Sequence, residues 1–104
     1  MIEDLMERDF DRVVEGATVP VLVEFWKPDC GHCRSLTRQL DQLQAELQGK
    51  ILILKMNVEE NRQIPAELEI SSLPVLAFYR GGQFERFIGG IGTKEEILKQ
   101  LTLS

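Results

Sequence analysis

The chain has two cysteines, three residues apart, within Trp26-Lys27-Pro28-Asp29-Cys30-Gly31-His32-Cys33. A Cys-x-x-Cys pair can be two core thiols, half of a shared metal site, or a redox couple. Zinc fits poorly. His32 is the one soft ligand besides the thiols, and its place between them limits a common geometry; a cluster shared between subunits stays open. Redox chemistry needs a thiolate at one sulfur and a second thiol in reach. The start of a helix supplies the first condition, because unpaired backbone N–H groups and the positive end of the helix dipole favour an anion there. Cys30 would then carry the larger thiolate fraction near neutral pH. Cys33, one turn further in, would be buried close to Cys30 and able to attack a mixed disulfide formed on it.

The surrounding pattern provides that helix. Val21-Leu22-Val23-Glu24-Phe25-Trp26 is a nearly continuous apolar run, as expected of a strand buried on both faces. Gly31–Gln48 follows with Cys33, Leu36, Leu40, Leu43 and Leu47 in helical steps, and Gly49 closes it. Upstream, Glu7–Val14 carries Phe10, Val13 and Val14 on one face, with Gly16 predicted as its C-cap. Downstream, Ile51–Met56 is a second buried strand and Glu59–Leu68 a weaker helix interrupted by Pro65. Val75–Tyr79 and Gln83–Ile88 form a hairpin around Gly81-Gly82. Thr93 and Glu96 frame a capping box for a last helix through Leu101. A short strand near Ile2 can be added. Strands joined by helices are expected to lie parallel, with the hairpin adding an antiparallel strand. The predicted architecture is α/β, a three-layer α/β/α sandwich with a central mixed sheet, in one domain over residues 1–104.

Composition narrows the functions. A length of 104 residues suits one domain, and 43% hydrophobic content suits a folded one. The formal net charge of -5 leaves no basic footprint for nucleic acid or an anionic membrane. Apolar runs such as Ile51–Leu54 fall far short of the ~20 residues that span a bilayer. The first fifteen residues are mixed and acidic, unlike a signal peptide. The expected location is the cytoplasm or a comparable reducing compartment.

At the residues Phe25-Trp26, Pro28, Cys30-Gly31-x-Cys33, Gln48-Gly49-Lys50, Lys55-x-Asn57, Leu73-Pro74, Gly82 and Gly90, the chain resembles the thioredoxin family over essentially its whole length. The resemblance implies the thioredoxin fold and a thiol–disulfide oxidoreductase acting on disulfide-containing proteins. It implies a cis peptide bond before Pro74, beside the cysteines, which would offer the Leu73 backbone to a substrate strand. Asp29, Gly31, Leu73, Pro74, Gly90 and Ile91 would line the substrate groove.

Four positions depart from the family's usual pattern. His32 stands where proline is usual, giving the Cys-Gly-His-Cys of protein disulfide isomerase domains. A protonated imidazole beside the Cys30 thiolate would make the disulfide more oxidising; alternatively His32 is merely solvated. Asp29 replaces a tryptophan, removing apolar docking surface and adding a charge that opposes the thiolate, or else it caps the helix. Glu24, where aspartate is usual, would have a raised pKa if buried, and could take the proton of Cys33 through a water; the competing reading is a structural pair with Lys55. Arg38 replaces a proline found in many relatives, which predicts a straighter helix.

The expected function is therefore a protein disulfide reductase with Cys30 as nucleophile, Cys33 as resolving thiol, Glu24 as proton acceptor and His32 as tuner of potential. It would need no organic cofactor or metal, would draw electrons from a separate reductase, and would work as a monomer. An oxidase or isomerase, or a non-catalytic binding module on the same scaffold, are the alternatives.

Overall fold

Strands β1 Glu3–Asp4, β2 Val21–Trp26, β3 Leu52–Asn57, β4 Val75–Arg80 and β5 Gln83–Ile88 form one sheet in the order β1-β3-β2-β4-β5. The helices are α1 Phe10–Gly16, α2 Gly31–Glu46, α3 Gln63–Glu67 and α4 Lys94–Gln100, with a 3₁₀ turn at Glu7–Asp9. This computed structural model describes residues 1–89 and 92–101.

The apolar run of β2 is buried from Val21 to Phe25, because both faces of the sheet are covered. Alternation sorts its side chains. Leu22 joins Ile53, Leu76 and Phe78 beneath Leu36, Leu40 and Leu43 of α2 and Ile97 of α4. Val21, Val23 and Phe25 join Met56 and Tyr79 on the other face, against Phe10 and Val14 of α1, with Ile64 of α3 packed alongside. This is the three-layer sandwich expected from the sequence. The three leucines of α2 are essentially inaccessible. Each contributes roughly 1.5–3 kcal/mol by burial, which fixes α2 firmly on the sheet. The helix runs from Gly31 to Glu46 without interruption through Arg38.

Sheet direction departs from expectation at one connection. β3 lies parallel to β1 and β2, but β4 lies antiparallel to β2 although a helix separates β3 from β4. The reason is length. A five-residue helix rises about 7.5 Å. A six-residue strand spans about 20 Å. Thus α3 alone does not carry the chain back to the start of the sheet, and the loops on either side of it stay near the end of β2. Strand β4 instead begins where β2 ends, Val75 pairing with Phe25.

The ends of the elements follow local chemistry with two exceptions. Gly81 and Gly82 adopt φ of 61° and 80°, the left-handed pair of a tight hairpin turn. Thr93 accepts from the Glu96 N–H at 3.2 Å, as the capping box requires. Gly16, however, lies inside the last turn of α1, and Ala17 is the C-cap, with extended backbone. The weak helix over 59–68 contracts to α3, with Pro65 in its first turn, where an N–H has no helical partner to lose.

Candidate active site

Strand β2 ends at Trp26, and residues 27–30 turn the chain into α2. The Cys30 N–H donates to the Lys27 carbonyl at 3.3 Å, and Arg34 Nη1 reaches back to the Pro28 carbonyl at 2.9 Å. Cys30 itself is the N-cap of α2, in extended backbone, with its sulfur accepting the Cys33 N–H at 3.1 Å. A sulfur in that position meets one of the free donors of the helix start, so negative charge on Cys30 is favoured by a hydrogen bond as well as by the dipole. No acidic residue lies in the first turn of α2. Cys30 is half-buried, whereas Cys33 is completely buried on the leucine stripe. The two are joined as a disulfide, their Cα atoms 5.2 Å apart.

The neighbours of the pair divide. His32 and Gly31 are exposed, and the His32 side chain makes no hydrogen bond or ion pair with the described residues. A Cβ at Gly31 would meet only the tip of Arg34, at 3.7 Å, so nothing among the described residues demands glycine there. Asp29 is exposed and lies 3.9 Å from Lys27 Nζ. It is not the helix cap: Cys30 occupies that position, leaving Asp29 one residue outside it.

Glu24 is fully buried in mid-β2, facing α2. Its Oε1 accepts from the Thr37 hydroxyl at 2.7 Å, while Oε2 has no hydrogen-bond partner. Burial pushes the carboxyl from 4.5 up to about 7; the Thr37 hydrogen bond and the charge of Lys55 oppose this without cancelling it. The direct Glu24–Lys55 pair is not formed. Although the two residues are register partners, the Lys55 ammonium lies over the Trp26 ring, 4.8 Å from its centroid.

A third element completes the site. Helix α3 ends in a Schellman motif, with Ile70 N–H bonded to the Pro65 carbonyl at 3.0 Å and Glu69 N–H to the Ala66 carbonyl at 3.1 Å. This requires Glu69 to adopt φ 57°, a conformation that favours glycine. The motif turns residues 70–73 toward the cysteines. Ile70, Ser71, Ser72 and Leu73 line a cavity of about 430 Å³ together with Cys30 and Val58. The Leu73–Pro74 peptide bond is cis. Pro74 lines an adjoining cavity that shares Ile70, Ser71 and Ser72. The structure thus brings Leu73 into the same cavity as Cys30, with Pro74 in the adjoining one. Gly90 and Ile91 lie outside the described residues.

Sequence reasoning missed Thr37 and the Ile70–Ser72 wall. Thr37 had a signal, since it lies four residues after Cys33 and so on the same helix face. Among the described residues, no group of three or more His, Cys, Asp or Glu side chains could hold a metal ion, and no helix is long and apolar enough to cross a membrane.

Comparison with known proteins is consistent throughout. The family model described as Thioredoxin matches residues 1–103. A thioredoxin of Rickettsia conorii is 36% identical over 104 residues, covering 100% of this chain and 99% of the relative. A thioredoxin of Haemophilus influenzae is 40% identical over 77 residues, 74% of this chain and 72% of the relative. Thioredoxin 1 of Nostoc sp. is 36% identical over 92 residues, 88% and 86% of the two chains.

Proposed function

The chain belongs to the thioredoxin family, and from that premise we propose that this thiol–disulfide oxidoreductase works as a reductase of protein disulfides through Cys30 and Cys33. The Cys30 thiolate attacks a substrate disulfide, forming a mixed disulfide and releasing one substrate sulfur. Cys33 then attacks Cys30 Sγ, closing the Cys30–Cys33 disulfide and releasing the second. Two electrons pass from the dithiol to the substrate. Glu24 takes the proton of Cys33 through a water, an assignment supported by its burial and its carboxyl pKa near 7. Leu73 and Pro74 hold the substrate strand, with Asp29 and Gly31 contributing to its binding; for Gly90 and Ile91 that role rests on the family resemblance alone.

The observation that carries this reading is the asymmetry of the pair. Cys30 reaches a cavity and caps a helix with its sulfur, while Cys33 is sealed beneath it. No resident cofactor takes part in the proposed cycle. A separate reductase returns the electrons, and the protein works as a monomer in the cytoplasm. His32 raises the potential when protonated, while partner and compartment set the direction of exchange.

The test is a pair of variants assayed by insulin disulfide reduction. Cys30→Ser is expected to abolish turnover. Cys33→Ser is expected to accumulate mixed disulfides visible by mass spectrometry. Turnover retained in Cys30→Ser overturns the assignment of the nucleophile.

A further inference from the structure

The Thr37 hydroxyl makes two contacts of different kinds. It lies 2.7 Å from Glu24 Oε1 and 2.9 Å from the Cys33 carbonyl oxygen. A hydroxyl has one proton to donate and lone pairs to accept. It cannot donate fully to both oxygens at once, so the charge on Glu24 decides which one receives the proton.

We propose that Thr37 is the positioning residue of the buried carboxyl: it holds Glu24 by a hydrogen bond whose direction reverses when Glu24 is protonated, and so passes the charge state of Glu24 to the Cys33 turn of α2. This rests on Glu24 being the proton acceptor of the resolving step. With Glu24 ionised, the Thr37 O–H donates to Oε1, a charge-assisted bond. When the proton leaves Cys33 Sγ and arrives on Oε1, the new carboxyl O–H donates to Thr37 Oγ1. The Thr37 proton then swings to the Cys33 carbonyl. No heavy atom need move, and no electron is transferred in this step.

The surroundings leave this role to Thr37. Lys55 on β3 favours the carboxylate by charge alone, its ammonium being engaged over Trp26. Asp41 on α2 and Asp4 on β1 oppose the carboxylate. β4 presents Leu76 as the register partner of Glu24. Among the described residues, Thr37 makes the one hydrogen bond to the carboxyl, and Oε2 is orphaned. Losing Thr37 therefore removes more from the ionised form than from the neutral one.

The experiment is a ¹³C NMR titration of the Glu24 carboxyl in the oxidised protein, for the wild type, Thr37→Val and Thr37→Ser, with the pH profile of insulin reduction alongside. Valine keeps the branched shape without the hydroxyl, and serine restores the hydroxyl. In Thr37→Val the Glu24 midpoint should rise by about one pH unit or more, the size of a lost charge-assisted bond, and the rate profile should follow it. Thr37→Ser should return both. An unmoved Glu24 midpoint in Thr37→Val overturns the proposal. A midpoint that rises while the rate profile stays put upholds Thr37 and instead removes Glu24 as the proton acceptor. A second measurement needs no variant: the Cys33 carbonyl resonance of the wild type should titrate with the Glu24 midpoint. A flat Cys33 carbonyl overturns the coupling.

Discussion

Replacing Glu24 by glutamine tests the buried carboxyl through stability rather than turnover. Burial lifts its titration from 4.5 to about 7. Between those values the folded protein holds a proton that the unfolded chain has released. Stability must then fall as pH rises through that window, and it does not recover above it. At about 1.4 kcal/mol per pH unit, the shift corresponds to roughly 3 kcal/mol lost between pH 4.5 and pH 7. That is a large share of the about 5–15 kcal/mol that holds a typical domain folded. Glutamine has the same shape, can still accept from Thr37 through its carbonyl oxygen, and does not titrate. Its amide N–H₂ would occupy the orphaned Oε2 position, at a cost of about 1–3 kcal/mol independent of pH. The assay is urea unfolding of the oxidised wild type and Glu24→Gln from pH 4 to 8.5, with the m-value checked for constancy. Every other titrating group is common to the two proteins and cancels in their difference. That difference should change by about 3 kcal/mol in favour of Glu24→Gln across the window and be flat above it. Parallel profiles would refute the reasoning, because a fully buried, half-satisfied carboxylate cannot be indifferent to pH.

Two further outcomes concern His32, whose proposed role comes from the motif, and Glu69, whose backbone the structure shows. His32→Pro should lower the reduction potential by roughly 20 mV for each kcal/mol of imidazolium–thiolate interaction removed, read in a glutathione-buffered titration, and an unchanged potential counts against the imidazole as tuner. Glu69→Gly should raise the urea midpoint: releasing a side chain from φ 57° gains about 1–2 kcal/mol, of which the greater freedom of glycine in the unfolded chain returns about half. A lower midpoint would mean that the Glu69 side chain contributes more than its backbone loses.

Much of the fold was legible because its signals are local and redundant. The run through β2, the leucine stripe of α2 and the two glycines of the hairpin each specify one conformation without reference to distant residues. Direction was less legible. The antiparallel entry of β4 depends on the path of the whole 58–74 connection, and a helix shortened to Gln63–Glu67 leaves most of that path to loops. The end of that helix was hidden for a related reason. Schellman motifs are read from glycine, and here glutamate takes the left-handed position, so the turn that swings Ile70–Leu73 toward the cysteines left no mark in the sequence. Thr37 was missed because its bond to Glu24 joins a helix to a strand thirteen residues earlier. A resemblance covers such a pair only where the family already has it.

The contrast between two helix starts sharpens what the cysteine pair is built to do. Helix α4 begins conventionally, with Thr93 as cap and Glu95 and Glu96 in its first turn, where acidic side chains meet the positive dipole end. Helix α2 has none there, in a chain with 17 acidic residues. Its cap is the sulfur of Cys30, so the atom proposed to react also satisfies the helix. A carboxylate in that first turn would compete for the same N–H groups and repel the thiolate. Asp29, the residue before the cap, stands outside the turn, and Lys27 lies 3.9 Å from it. The positive end of α2 is thereby left to the Cys30 sulfur, which the proposed cycle would make an anion when the disulfide opens.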